Sequence, residues 1–374
     1  MYGAKPTDKN PISRLDALDA GDRPDRTQGL GPEDATMSPV RFGVIGLGWF
    51  GHKHCQTLAD LPGVHLHALC TRTESRLGEV ANEFGVQRTF TDYRLMLQDP
   101  ELDAVSVVTM WDQHTEPTLA ALAAGKHVFL EKPMASTVED CRRIVAAATT
   151  AAGSLMVGHI CRFNPRYAAA KVEIDAGAVG RVLSMYARRN IPAGVTEDIL
   201  QKIGPIIGDG VHDTDLMLWY TGDRIVSAYS QTHGFRDKKY PDLGWTMYRF
   251  ASGAIGVLEN VWCLPEQTPF QIDERLEIIG TQGSLHVQET HPNFSVCDAH
   301  GWRSPDTTYW PKLHGQHVGA LREELAYFAQ CIERGERPAV ILPEDSMRSV
   351  VACLAAEQSA SSGDVVAIRD EDWP

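Results

Sequence analysis

Apolar positions in this chain change their spacing near residue 160, and that change divides the sequence into two unlike halves. Before it, the short apolar runs at 40–45, 64–70, 104–108, 127–130 and 155–157 predict strands. The intervening stretches at 49–61, 74–84, 115–124 and 138–152 carry helical spacing. Strands that alternate with helices imply right-handed crossovers, and so a doubly wound parallel sheet covered on both faces over residues 40–160. After it, longer and more alternating runs follow one another directly, at 182–190, 225–233, 245–250, 254–263, 275–279 and 284–287. Turn sequences such as Ala251-Ser252-Gly253 and Gly280-Thr281-Gln282-Gly283 separate them. Residues 161–374 therefore predict an α+β domain: a large, mainly antiparallel open sheet, a helix over 213–221 on one face, and helices over 318–334 and 343–361 that pack back.

Residues 1–39 show no sustained pattern and contain nine Gly or Pro, five basic and seven acidic residues, which predicts a flexible tail. Composition narrows the function. The 374 residues are 43% hydrophobic and 22% charged, as in a globular protein of about two domains. With 35 Lys and Arg against 49 Asp and Glu the formal charge is -14, which excludes a broad nucleic-acid or anionic-membrane surface and leaves room only for a local anion pocket. No run is long enough for a membrane span and no secretory leader is evident, so a cytoplasmic protein is expected. Eight cysteines without a CxxC pair suit buried reduced thiols, and no metal site is expected.

The first predicted strand runs into Gly46-Leu47-Gly48-Trp49-Phe50-Gly51, which fits GxGxxG. In this pattern the first glycine makes a tight turn, the second lets backbone approach a pyrophosphate, and the third packs helix on strand. A strand before it and a helix after it supply the context of a Rossmann dinucleotide site, whose phosphates face the helix N-terminus. About 20 residues on, where NAD-specific sites place a carboxylate on the ribose, the second strand ends Cys70-Thr71-Arg72. Thr71 and Arg72 suit the extra phosphate of NADP, so NAD(P) is expected with NADP slightly favoured. A solvated Arg72, or one stacked on adenine, is the plainer alternative.

Glu131-Lys132-Pro133 ends a buried strand at the sheet edge where ligands of open α/β sheets bind. A lysine there can donate to a substrate hydroxyl or exchange a proton with it; on these residues alone a surface Glu-Lys pair is the better explanation of the segment. Further on, Asp209, His212 and Asp215 recur at intervals of three, near one helical face. Carboxylates can hold a histidine in one tautomer for acid-base work, or simply complement a helix N-terminus.

With GLGWFG, AGKHVFLEKPMA, RFNPRY and GDGVHDTDLMLWYTG in this order, residues 40–370 resemble the Gfo/Idh/MocA family of NAD(P)-dependent sugar and cyclitol oxidoreductases. The resemblance implies that Lys132 is the catalytic lysine, often followed by a cis peptide to proline, that Glu131 holds ribose or orients the lysine, and that His212 contacts or deprotonates the oxidised hydroxyl. It places Arg162, Asn164, Arg188 and Asn190 along the substrate pocket, and Thr109 and His114 near the nicotinamide. Two departures stand out. Many members carry an aspartate four residues before the histidine, where this chain has Gly208, with Asp209 one place later; either Asp209 takes over or the triad is incomplete. Met110-Trp111 replaces the usual Pro-Asn after Thr109, and Trp111 is a candidate wall residue.

The resulting expectation is a dehydrogenase that oxidises a secondary hydroxyl of a sugar, glycoside or cyclitol, assembled as a homodimer or homotetramer through the second-domain sheet. Two alternatives remain open. A sugar-nucleotide 3-dehydrogenase would need a diphosphate patch, for which Arg162, Arg166, Arg188 and Arg189 are the available basic cluster. A non-catalytic nucleotide-binding regulator would account for Gly208. His52, His54 and Cys55 are discounted as metal ligands because helical spacing separates 52 from 54.

Overall fold

In the computed structural model of the protein, residues 38–288, 294–299 and 301–374 are described. The tail expected over 1–39 lies outside them apart from its last two positions. Six parallel strands form the first sheet: β1 (Val40–Ile45), β2 (Val64–Cys70), β3 (Arg88–Phe90), β4 (Ala104–Val107), β5 (His127–Glu131) and β6 (Leu155–Gly158). Their spatial order is β3-β2-β1-β4-β5-β6. The order reverses between β1 and β4, so the crevice outside their carboxyl ends is where a doubly wound sheet binds ligands. Gly46, Thr109, Lys132 and His159 follow strands that end there. Strand β3 was not legible in the sequence, because three residues with two exposed side chains carry no readable alternation.

The second sheet comprises β7 (Val182–Asn190), β8 (Ile225–His233), β9 (Leu243–Phe250), β10 (Ile255–Val261), β11 (Asp273–Gly280) and β12 (Ser284–Gln288), in the order β12-β11-β7-β10-β9-β8, with Val366–Ala367 on the β8 edge. Every pairing is antiparallel except β7 with β10. One face is covered by the helices Gly210–Thr221 and Pro343–Ser362. On the other, the strand period of two presents Trp245, Met247, Ile255 and Ile279, which are 41–51% exposed.

The Gly210–Thr221 helix is buried on nearly every side, so its charges need partners inside the protein. Arg189 on β7 donates to both carboxylate oxygens of Asp213, at 3.0 and 3.1 Å, and to Glu274 on β11. Arg162 donates to both oxygens of Asp215, at 2.8 and 2.7 Å, and further to the Val340 carbonyl and Asp345. These pairs fix the rotation of the helix that carries His212. Removing one partner strands a buried charge, so Arg189→Ala is expected to lower unfolding free energy by about 3–5 kcal/mol. Arg188→Ala, one residue away at a half-exposed site, is expected to cost no more than about 1 kcal/mol. Urea denaturation of the two variants checks the difference.

Candidate active site

The glycine turn is built as the chemistry of a pyrophosphate cradle requires. Gly46 has φ +97°, and a side chain there would meet the Val108 carbonyl at 2.5 Å. A Cβ on Gly51 would lie 1.9 Å from the Gly46 carbonyl, so the third glycine lets the helix close on the strand. Gly48, between them, faces space with nothing within 4 Å. It also caps the Trp49–Asp60 helix with no side chain bonded to the first-turn amides, leaving those donors for an anion. Arg76, which the sequence did not single out, donates to the Leu47 carbonyl at 2.9 Å and braces the turn. Trp49 is 64% exposed and stacks on Phe50, and Trp310 meets both rings edge-on.

At the end of β2, Arg72 donates to the Gln113 side chain at 3.1 Å and stands at the surface with Thr71 beside it. No carboxylate follows Cys70 before Glu74. Across the crevice, Thr109 bonds the Gln113 carbonyl through its hydroxyl, and its own carbonyl meets His114 Nε2 at 3.1 Å. His114 Nδ1 meets the Pro133 carbonyl at 2.8 Å. His114 thus ties the β4 end to the cis Lys132-Pro133 turn from a buried position and does not line the crevice. Burial pulls its pKa down, against the two carbonyl contacts.

The turn delivers Lys132 to the Gly210–Thr221 helix. Lys132 Nζ donates to the Gly208 carbonyl at 2.8 Å and lies 3.4 Å from Asp209 Oδ1. Asp209 is the N-cap of that helix, and its other oxygen accepts from Trp262 Nε1 at 3.0 Å. The displaced aspartate has a steric reason: a Cβ on Gly208 would lie 2.5 Å from the Trp262 ring, so only glycine fits at 208 and the carboxylate beside Lys132 comes from 209. Glu131 Oε2 accepts the Lys132 amide at 3.1 Å, and Oε1 meets His54 Nε2 at 3.0 Å. His54 Nδ1 in turn meets the Ser106 hydroxyl at 2.8 Å. His54 is therefore a buried brace of Glu131, a role hidden in the sequence because the contact joins residues 77 apart.

His212 lies 6% exposed in the first turn of the helix, and its Nδ1 is enclosed without a partner. Burial, followed by the Lys132 charge, holds its pKa well below the ordinary imidazole value, so the ring is a neutral base at neutral pH. Asp215 does not reach this group, because Arg162 occupies both of its oxygens.

Four residues expected along the substrate pocket have partners within the protein. Arg162, with a 2% exposed side chain, spends its donors on Asp215, Asp345 and Val340. Asn164 caps the Pro165–Asp175 helix by accepting the Arg166 amide at 3.0 Å. Arg188 and Asn190 fall on the strand phase opposite Arg189, away from the Gly210–Thr221 helix, where they bond Asp273 and Glu259 at 2.8 and 2.7 Å. On the neighbouring strand, Asn260 of β10 is 1% exposed with both amide atoms unpartnered, and its Oδ1 would touch a side chain on Gly210. Trp111 donates to the Lys202 carbonyl at 3.3 Å and forms part of the wall near that loop.

The chain and its fold are similar to those of known proteins. Residues 40–159 match the family model GFO_IDH_MocA, described as an oxidoreductase family with an NAD-binding Rossmann fold, and residues 167–286 match the GFO/IDH/MocA C-terminal domain. The chain is 30% identical to scyllo-inositol 2-dehydrogenase (NAD(+)) of Bacillus subtilis over 87% of its own length and 95% of that protein's. It is 28% identical to myo-inositol 2-dehydrogenase of Thermotoga maritima, covering 86% of this chain and 96% of that one. The crystal structure of myo-inositol 2-dehydrogenase from Lactobacillus plantarum superposes with a TM-score of 0.77 at 25% identity, over 88% of this chain and all 100% of that one. The crevice with its glycine cradle, the lysine at the end of β5 and the histidine facing it thus belong to a member of the GFO/IDH/MocA oxidoreductase family.

Proposed function

We propose that the protein oxidises a secondary hydroxyl of a cyclitol, with related sugars as weaker substrates, using a nicotinamide dinucleotide. The observation that carries this reading is Lys132 Nζ held at 2.8 Å by the Gly208 carbonyl and flanked by Asp209, at the carboxyl end of β5 where the glycine cradle opens. A nicotinamide dinucleotide held at the glycine cradle would supply the acceptor for hydride from the carbinol carbon. The residues of the chain handle the proton and the alignment. Lys132 donates to the substrate oxygen and stabilises it as its proton leaves, Asp209 fixes the lysine, and neutral His212 accepts the proton. A polyol needs paired donors and acceptors on several hydroxyls, and the unpartnered Asn260 amide offers both.

A sugar-nucleotide substrate fits less well. Arg162, Arg188 and Arg189 are each committed to carboxylates, which leaves no diphosphate patch among them. On the cofactor side, the absence of a carboxylate after Cys70 supports acceptance of NADP through Thr71 and Arg72, with NADP slightly favoured over NAD. The apolar face of the second sheet, with Trp245, Met247, Ile255 and Ile279, supports a homodimer or homotetramer. Six of the eight cysteines are buried free thiols, which supports a reducing, cytoplasmic location. No described helix is long and apolar enough to cross a membrane.

Absorbance of reduced nicotinamide, followed with myo- and scyllo-inositol, simple sugars and both cofactors, tests the reading; turnover with no polyol would sink it. Lys132→Ala is expected to lower kcat about 10²- to 10⁴-fold, the range of a lost acid-base group, with cofactor affinity within about threefold. Arg72→Ala is expected to weaken NADP binding about tenfold and NAD binding hardly at all, measured by tryptophan fluorescence titration. Because His212 is held neutral, kcat/KM is expected to stay level as pH falls through the ordinary imidazole value near 6.5 and to decline only below it. A decline centred at or above that value in the pH profile would contradict the assignment.

A further inference from the structure

Arg236, a residue the reaction scheme above does not use, sits in the connection from β8 to β9. Its Nε donates to Asp242, its Nη1 to the Ala193 carbonyl at 3.0 Å and to Glu197 at 3.3 Å, and its Nη2 to the Thr196 hydroxyl at 3.0 Å and the Trp262 carbonyl at 2.6 Å. The last of these acceptors needs a donor from outside the sheet. Trp262 lies just past the end of the β9–β10 ladder, whose last pair is Val261 with Leu243. Its amide still donates to the Asp242 carbonyl at 2.7 Å, but the Asp242 amide turns to the His233 carbonyl and leaves the Trp262 carbonyl without a strand partner. Arg236 takes that carbonyl, together with the Thr196 hydroxyl at 2.8 Å. The fully buried Asp242 carboxylate, which also accepts the Phe235 and Arg236 amides at 2.6 and 2.9 Å, holds the guanidinium in place. The Trp262 backbone is thus fixed at both its amide and its carbonyl.

We infer that Arg236 is a positioning residue for Lys132, acting through Trp262 and Asp209. From its fixed backbone the 2% exposed Trp262 side chain donates through Nε1 to Asp209 Oδ2 at 3.0 Å, while Asp209 Oδ1 faces Lys132 Nζ at 3.4 Å. Asp209 caps the Gly210–Thr221 helix, yet its carboxylate bonds none of the first-turn amides. The indole N–H is therefore the hydrogen bond that decides which carboxylate oxygen turns to the lysine and where it stands. A Trp262 backbone released at its carbonyl would let the indole shift, and the carboxylate and ammonium would follow it. A planar guanidinium suits the task because its fork spans Asp242 and the Trp262 carbonyl at once, whereas an ammonium on a lysine stem is a single point of charge. The catalytic consequence rests on the proposed oxidation; the hydrogen bonds from Arg236 to Asp209 do not depend on it.

The test compares Arg236→Lys, Trp262→Phe and the double variant in the full-length protein, by turnover of inositol with NAD and by NMR of the Trp262 indole N–H, identified by the shift it takes in Asp209→Asn. Arg236→Lys keeps a cation beside Asp242 but gives up the Trp262 carbonyl. It is expected to lower kcat about tenfold with KM for the polyol within about threefold, and to speed exchange of the indole proton with solvent about tenfold. Trp262→Phe, which removes the donor to Asp209, is expected to lower kcat about 10- to 10²-fold. Because the arginine acts through the indole, the double variant is expected to match Trp262→Phe within about twofold; losses that multiply in full would overturn the proposal. A brace of the 193–197 turn alone would lower the melting temperature of Arg236→Lys and leave its indole exchange and kcat at wild-type values, which likewise refutes the role. If Trp262→Phe does not fold, the indole exchange and kcat of Arg236→Lys decide. Absence of turnover with every polyol would instead count against the proposed reaction and leave the indole exchange to decide the role of Arg236.

Discussion

The site depends on one contact that joins the two sheets: Lys132 Nζ on the Gly208 carbonyl, with Asp209 beside it. Lys132 ends a strand of the nucleotide sheet, whereas Gly208 and Asp209 lead into the helix that covers the second sheet. An ammonium with three donors can serve a carbonyl and a carboxylate while keeping a donor for a substrate oxygen. Much of the surrounding structure constrains that contact. His114 holds the Lys132-Pro133 turn to Thr109, His54 and Ser106 hold Glu131, and Trp262 both excludes a side chain at 208 and fixes the Asp209 carboxylate.

A second layer of buried charge sets the helix that brings His212 to the lysine. Asp213 and Asp215 point to opposite partners, Arg189 from the sheet and Arg162 from the turn after β6, so the helix is pinned between the domains. Such pairs are weak sources of net stability, since desolvation offsets most of the Coulomb gain, but they are costly to misalign. Their value here is orientation. In the proposed reaction, a neutral, desolvated His212 would reach the hydroxyl proton in only one rotation of its helix.

The sequence made the architecture legible because burial on both faces and burial on one face leave different apolar spacings, so the shift near residue 160 marks the passage from parallel to mainly antiparallel sheet. It also exposed the glycine cradle, Lys132 and His212, because each sits in a contiguous motif. The resemblance drew attention to the missing aspartate at Gly208 but could not show why it is missing: the cause is Trp262, 54 positions further on. The same limit explains the pocket residues. Arg188 and Asn190 share a strand with Arg189, yet a period of two sends them to the far face, and which phase faces the helix is decided by the pairing of β7 with β10 and β11. Arg162 looked available because its three acceptors, Asp215, Val340 and Asp345, all lie far along the chain.

In the proposed reaction, hydride leaves a carbinol carbon while Lys132 and His212 manage the hydroxyl proton. Turnover of a cyclitol carrying deuterium at the oxidised carbon, with the reduced nucleotide analysed by mass spectrometry, measures that step directly. One deuterium is expected in the nucleotide for each ketone formed by the wild-type protein, and Lys132→Ala is expected to bind the cofactor but to transfer deuterium far more slowly. Ketone formed without deuterium in the nucleotide, or transfer at the wild-type rate without the lysine, would contradict it.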